Sequence, residues 1–258
     1  VNVSGKPVSN AAEADDLRLL RVDIDTMFVM SASGRIEREN DPDCSPGPRL
    51  FFAGCPFGNV ARVRYDVDDR IAQSVLDLAA KAPPWQDPDT LPEGVDKIVE
   101  LLSGDQPAEA VVGHPIYKLP NGLRYEHPAP IVRGDSPEGQ AMLARLAERG
   151  MADYMVDAGF KDTRDLWEPW CVALDGGEIA SIAFAARLGA IGAEVGVYTF
   201  PKYRSRGFAA AVTASWASLE SLKQRALFYS RAKSNRSSQR VAARLGLRRI
   251  GSSFRVAS

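Results

Sequence analysis

Residues 194–209 read EVGVYTFPKYRSRGFA, and the change of pattern inside this stretch decides the fold. Its first part, taken with Ala193 as residues 193–199, is a run of small, β-branched and aromatic side chains around Glu194, which predicts a buried strand. From Arg206 onward the period becomes helical, because Phe208, Val212, Trp216, Leu219 and Leu222 form one apolar stripe. Residues 203–209 join strand to helix, and Gly207 stands where a bulky side chain would obstruct close approach. Successive backbone N–H groups and the helix dipole make such a junction an anion site. The spacing is neither the GxxxxGK[ST] loop of nucleotide hydrolases nor the GxGxxG of dinucleotide binders. A different diphosphate carrier is implied.

Upstream, residues 170–174 and 178–186 read as an antiparallel pair around the turn Asp175-Gly176-Gly177. Before them a strand near residues 129–133 leads into a helix, with Ser136 as its N-cap, Pro137 in its first position, Leu143, Leu146 and Ala147 on its buried face and Gly150 at its end. Downstream come a strand at 226–230, a helix over 234–245 stopped by Gly246, and a strand near 249–256. In the N-terminal part, after a polar leader to Asp16, alternation predicts strands at Leu20, Val22 and Ile24, at 50–53, and at Ala61, Val63 and Tyr65. Two helices should follow, one built on Ile71, Val75 and Leu78. The other is built on Val95, Ile98, Val99 and Leu102, with Thr90 and Glu93 spaced as a capping box and Gly104 as its stop. The polar residues 104–109 suggest a boundary between an N-terminal α+β unit, 1–105, and a second domain, 110–258.

The stretch 194–209 resembles the diphosphate-loop region of the GNAT N-acetyltransferase superfamily, whose pattern R/Q-x-x-G-x-G/A is met by Arg204, Gly207 and Ala209. Residues 235–247, NRSSQRVAARLGL, resemble the later helix of the same superfamily, and the likeness covers roughly residues 125–258. It implies a mixed α+β fold with a central, mostly antiparallel sheet flanked by helices. It also implies acetyl-CoA or another acyl-CoA as co-substrate. Pantetheine would lie along Val197, Tyr198 and Thr199, and the diphosphate on Arg204, Ser205, Arg206, Gly207, Phe208 and Ala209. Asn235 and Ser238 would lie near the pantetheine, although Asn235 reads equally as a helix cap. Glu194 occupies a position where many superfamily members carry a carboxylate base. The helix position that often supplies a tyrosine acid is Ala242 here, which leaves Tyr198, Tyr203 and Tyr229 as substitutes or as packing residues.

Composition agrees with an ordinary globular protein: of 258 residues, 45% are apolar and 25% charged. The net charge of −1 conceals an asymmetry, since residues 201–258 hold 13 Lys/Arg against one acid, Glu220. That quarter should face an anion. Arg236, Arg240 and Arg244 share a helix face, where like charges repel unless an anion or salt relieves them. No recognised nucleic-acid motif turns this charge into a nucleic-acid partner. Cys44, Cys55 and Cys171 show no ligand spacing, so neither a disulfide framework nor a metal site is expected. His114 and His127 have no partner motif and read as structural or loop residues. Trp167 and Trp170 could line a cleft but read more simply as packing. The opening VNVSGKPVSN lacks a basic stretch and an apolar run, and no window has the length of a membrane span, so a cytoplasmic chain without a membrane partner is expected.

Amine acylation needs a neutral amine, and alkyl ammonium groups titrate near pH 10 while thiols titrate near 8.5. A base is therefore required, and Glu194 is the candidate, provided burial raises its pKa or a water relays the proton. The expected activity is transfer of an acetyl or short acyl group to a primary amine of a small molecule, amino acid or peptide. A non-catalytic acyl-CoA-binding regulatory module is the alternative. A homodimer is an allowed assembly.

Overall fold

The computed structural model describes residues 10–85, 90–103, 110–230 and 235–257. Eleven strands and seven α-helices follow in chain order among the described residues. Helix α1, Asn10–Met27, occupies the segment where alternation predicts a strand. Leu19, Leu20, Asp23, Ile24 and Met27 are buried, a spacing of three and four that only a helix can turn to one side. The charged Arg21, Asp23 and Asp25, alternating with Leu20, Val22 and Ile24, imitate a strand's polar face over this short window. A two-stranded sheet follows, made of β1, Phe28–Met30, and β2, Ile36–Glu39.

The remaining strands form one mixed sheet of nine. They are β3, Leu50–Cys55; β4, Gly58–Val63; β5, Ala110–Leu119; β6, Ile131–Arg133; β7, Trp170–Asp175; β8, Glu178–Leu188; β9, Gly192–Thr199; β10, Ala226–Ser230; and β11, Arg248–Val256. Their order is β4-β3-β11-β5-β10-β9-β8-β7-β6, antiparallel throughout except where β10 runs parallel to β9. The expected boundary at 104–109 lies outside the described residues, and the strands on either side of it share this sheet. The last strand, β11, pairs with β3 on one side and β5 on the other.

Strand β5 has no forerunner in the sequence reading. It carries Pro115 between β11 and β10, where a residue without an N–H would normally be excluded. Register shifts in β11, between Arg249 and Gly251 and between Ser253 and Arg255, break the ladder beside it.

Helices α2, Asp69–Lys81, and α3, Val95–Ser103, bury Val75 and Ala79, and Ile98 and Leu102, against β3, β4 and β11. Asp68 caps α2 by accepting from the Arg70 and Ile71 N–H groups. Helix α3 starts only at Val95, after Gly94 at φ +82°, so Thr90 and Glu93 do not stand at its cap. Its expected stop, Gly104, is outside the described residues. Helix α4, Pro137–Arg149, begins as expected, with Ser136 Oγ accepting from the Gly139 N–H and Pro137 in the first turn, and it ends at Gly150. A short α5, Asp153–Val156, follows.

Helix α6, Phe208–Trp216, is shorter than its apolar stripe, which continues through a 3₁₀ turn at Glu220–Leu222. Seven of its residues are buried, because it lies across β7, β8 and β9. Helix α7, Arg236–Arg244, ends before Gly246, and Ser234, where it was expected to begin, is outside the described residues. No described helix is long and apolar enough to cross a membrane.

Candidate acyl-carrier site

The slot where β9 and β10 part is the centre of the site. They pair in parallel over three rungs, the last being Phe228 with Glu194. Beyond it β9 stays with β8 while β10 stays with β5, through Tyr229 opposite Tyr117 and Ser230 opposite Ile116. The backbone of Val195, Gly196, Val197, Tyr198 and Thr199 therefore has no rung to β10, leaving peptide groups on that edge for an extended ligand. The sequence-predicted Val197, Tyr198 and Thr199 all stand on it, with Ser181 Oγ donating to the Tyr198 carbonyl at 2.9 Å and meeting Thr199 Oγ1 at 2.8 Å.

After β9 the chain makes a 3₁₀ turn at Pro201–Tyr203 and passes Ser205 at φ +65° and Gly207 at φ +92° into α6. Gly207 is the N-cap and brings no side-chain cap of its own, so among the described residues the first N–H groups stay open to an outside acceptor. A Cβ on Gly207 would lie 3.1 Å from His127 Cδ2 and 3.3 Å from Arg244 Nη1. Only glycine suits both the dihedral angle and the space.

His127 latches this loop. Its Nδ1 accepts from the Ala129 N–H at 3.1 Å, which assigns the ring proton to Nε2, and Nε2 donates to the Arg206 carbonyl at 2.9 Å. Its ring lies 4.9 Å from that of Phe208. The structural role expected for His127 is thus exercised on the loop between β9 and α6, a placement that no local motif could signal. His114, by contrast, lies on β5 beside Arg255, where burial and then that guanidinium lower its pKa.

The arginines divide their work. Arg206 makes a two-pronged ion pair with Asp175 at 2.7 and 2.9 Å and lies over the Phe208 ring. Arg204 donates through Nε to the Thr199 carbonyl at 3.2 Å and is exposed. Arg236, Arg240 and Arg244 make no ion pair among the described residues, and Arg244 reaches the loop. Asn235 is the cap of α7, accepting from the Ser238 N–H at 3.0 Å, and the Ser238 carbonyl accepts from Tyr229 Oη at 3.3 Å. Phe208 and Ala209 open α6, the first with its ring buried and the second through its backbone, whose carbonyl accepts from Thr213 Oγ1 at 2.7 Å.

Glu194 stands at the apex of the slot, only 6% exposed. Burial raises its pKa above 4.5; the Ser230 hydroxyl, which donates to Oε1, opposes this, as do the charges of Arg187 and Arg255, while Glu39 adds to it. Glu39 holds both arginines, Arg187 Nη2 on Oε2 and Arg255 Nη1 on Oε1, each at 2.7 Å. A carboxyl group raised by burial but still supported as an anion has the chemistry of a proton acceptor.

The three tyrosines differ in freedom. Tyr203 is buried and donates to Glu178 Oε2 at 2.6 Å, beside Lys202 on the same oxygen at 2.7 Å. Tyr229 is buried as well, with its hydroxyl on the Ser238 carbonyl. Tyr198 is half-buried, with Phe160 and Phe200 against its ring. Ala242 is buried in the core and offers no acid. Trp170 is fully buried under Gly134, while Trp167 is half-buried against Phe184. No group of residues able to hold a metal ion occurs among the described residues.

Residues 171–252 match the GNAT acetyltransferase family model. The GNAT match takes in β7 to β10, both helices of the site and part of β11, under half of the chain, and it supports the C-terminal placing of the resemblance. Similar solved structures include a GCN5-related N-acetyltransferase from Kribbella flavida, 14% identical with a TM-score of 0.39 over 61% of this chain and 62% of that one. A GCN5-related N-acetyltransferase-like protein from Streptococcus suis 89/1591 is 16% identical, with a TM-score of 0.44 over 96% and 100%. A GNAT-family acetyltransferase from Colwellia psychrerythraea is 11% identical, with a TM-score of 0.42 over 98% and 99%. The chain thus spans less than two thirds of the Kribbella protein's length. No curated protein matches the chain.

Proposed function

We propose that the protein is a cytoplasmic N-acyltransferase that moves an acetyl or short acyl group from acyl-CoA to a primary amine of a small molecule, amino acid or peptide. The observation that carries this reading is the uncapped start of α6 at Gly207, beside a strand edge left open up to the buried Glu194. The residues fit the donor: the N–H groups after Gly207 would take its diphosphate, Arg204 and Arg244 would add charge, and the free edge of β9 would take the pantetheine. The bound thioester supplies an activated carbonyl. Glu194 accepts the amine proton, and backbone N–H groups near Val197 stabilise the oxyanion.

A second reading, a regulatory module that binds acyl-CoA without turnover, is favoured by one feature, the buried Ala242 where a tyrosine acid often stands. Thiol release from acetyl-CoA, measured with a panel of amines and alongside CoA binding, separates the two. Amine-dependent release supports the enzyme. Tight binding with no release supports the module, and no binding removes both.

A further inference from the structure

Arg187 and Glu194 are opposite charges that stand across from each other and do not pair. They are partners in the antiparallel ladder of β8 and β9, because a register shift between Ala185 and Arg187 puts Arg187 where Ala186 would otherwise face Glu194. Residues so opposed carry their Cβ atoms about 4.5–5.5 Å apart on one face of the sheet, within a guanidinium's reach of a carboxylate. Yet every guanidinium nitrogen of Arg187 is engaged elsewhere. Nε and Nη2 donate to Glu39 Oε2 at 3.2 and 2.7 Å, and Nη1 donates to the Ala186 carbonyl at 2.7 Å. Among the described residues, the Ser230 hydroxyl is the one hydrogen-bond partner of the Glu194 side chain.

Glu39 is the group that draws Arg187 away. Its buried carboxylate also takes Arg255 Nη1 on Oε1 at 2.7 Å, and that guanidinium lies over the rings of Phe28 and Phe51, 5.6 and 5.5 Å from their centres. A buried carboxylate between two arginines is seldom the most stable filling of such a space, so its presence here points to a task beyond stability. The hairpin of β1 and β2 is fastened at this spot. The Asn40 N–H donates to the Met27 carbonyl at 2.8 Å, and its Nδ2 donates to the carbonyls of Thr26, at 3.0 Å, and of Leu188, at 3.1 Å, one residue past Arg187. Glu39 lies outside the segment that matches the acetyltransferase family. The other charged groups around Glu194 are Asp23 from α1, whose Oδ1 has no partner, Asp41, 3.7 Å from Arg187, and His114 from β5, beside Arg255.

We propose that Glu39 is a positioning residue for acyl transfer: by taking both arginines onto its own carboxylate it keeps Arg187 off Glu194, which stays free to accept the amine proton. The proposal rests on reading Glu194 as the base. An arginine paired directly with Glu194 would stabilise its anion and weaken it as a base. The upward titration of Glu194, with burial as its first cause, agrees with a carboxylate kept from such a pair.

The full chain tests this as wild type, as Glu39→Gln, and as Glu39→Gln with Arg187→Met. In pH profiles of kcat/KM for the amine, Glu39→Gln should move the acid limb downward by about one unit, because the released Arg187 turns to Glu194, and the plateau rate should fall with it. Adding Arg187→Met should return the limb to near its wild-type place. A Glu39 that merely held the fold together would leave the limb where it was. A limb unmoved or moved upward, or a double variant no different from the single one, overturns the proposal. Should Glu39→Gln not fold, carbon-13 NMR titration of the wild-type Glu194 carboxyl, assigned by its loss in Glu194→Gln, decides the matter. Titration above 4.5 is expected, and titration below 4.5 in an active enzyme overturns the proposal while leaving the acyltransferase reading intact. Absence of thiol release with every amine overturns both.

Discussion

Gly207→Ala perturbs the loop proposed to hold the diphosphate with one methyl group. The residue holds φ +92°, and an L side chain in the left-handed region costs about 1–2 kcal/mol. The methyl carbon would also press on His127 at 3.1 Å and on Arg244 at 3.3 Å, so both must yield by a few tenths of an ångström. Were the free loop to relax and CoA binding to restore it, a strain of about 1.4–2 kcal/mol would weaken binding roughly 10- to 30-fold. Were the loop to hold its shape, the same cost would appear as lost stability. Calorimetric titration with CoA and thermal melting together capture both, and their combined loss should come to about 2 kcal/mol. Gly34→Ala is the control: φ is +74°, nothing lies within 4 Å, and its cost should fall on stability with CoA affinity unchanged. A Gly207→Ala protein that binds CoA within about twofold of wild type and melts with it would refute the assignment of the loop.

Glu194→Gln should cut thiol release by about 10²- to 10⁴-fold near pH 7 while CoA binding persists, the usual range for a lost general base. The acid limb of kcat/KM should lie above 4.5, with activity lost as pH falls through the raised pKa of Glu194. Ser230→Ala removes the hydrogen bond that supports the Glu194 anion, so the same limb should move further upward. His127→Ala frees the Arg206 carbonyl and should cost about 1 kcal/mol, divided between melting temperature and CoA affinity.

The chemistry-bearing loop is legible in the sequence because its signals are local. Gly207 must be glycine for reasons of dihedral angle and space, and a strand period visibly gives way to a helical one around it. Helix α4 is equally plain from Ser136, Pro137 and Gly150. Helix α1 reads as a strand because Leu20, Val22 and Ile24 alternate with charged residues over a window too short to separate two periods. Strand β5 is hidden by Pro115, whose missing N–H argues locally against a central strand that the tertiary pairing nevertheless builds. Asp23, Glu39 and Arg187 escape notice for a common reason: a charged residue ordinarily marks solvent, and only contacts between distant segments reveal these as buried. His127, 79 residues before the carbonyl it holds, cannot be found from its neighbours.

The place of β11 between β3 and β5 sets the order in which the sheet can be finished. Both flanking strands leave the ribosome long before residues 248–256, and each then carries an unpaired edge facing the other across a gap one strand wide. Synthesis closes that gap only when residues 248–256 emerge. A nascent chain stalled before Arg248 would present two sticky edges, and a fragment begun after residue 105 would leave β11 with one, so either piece should aggregate more readily than the 258-residue chain.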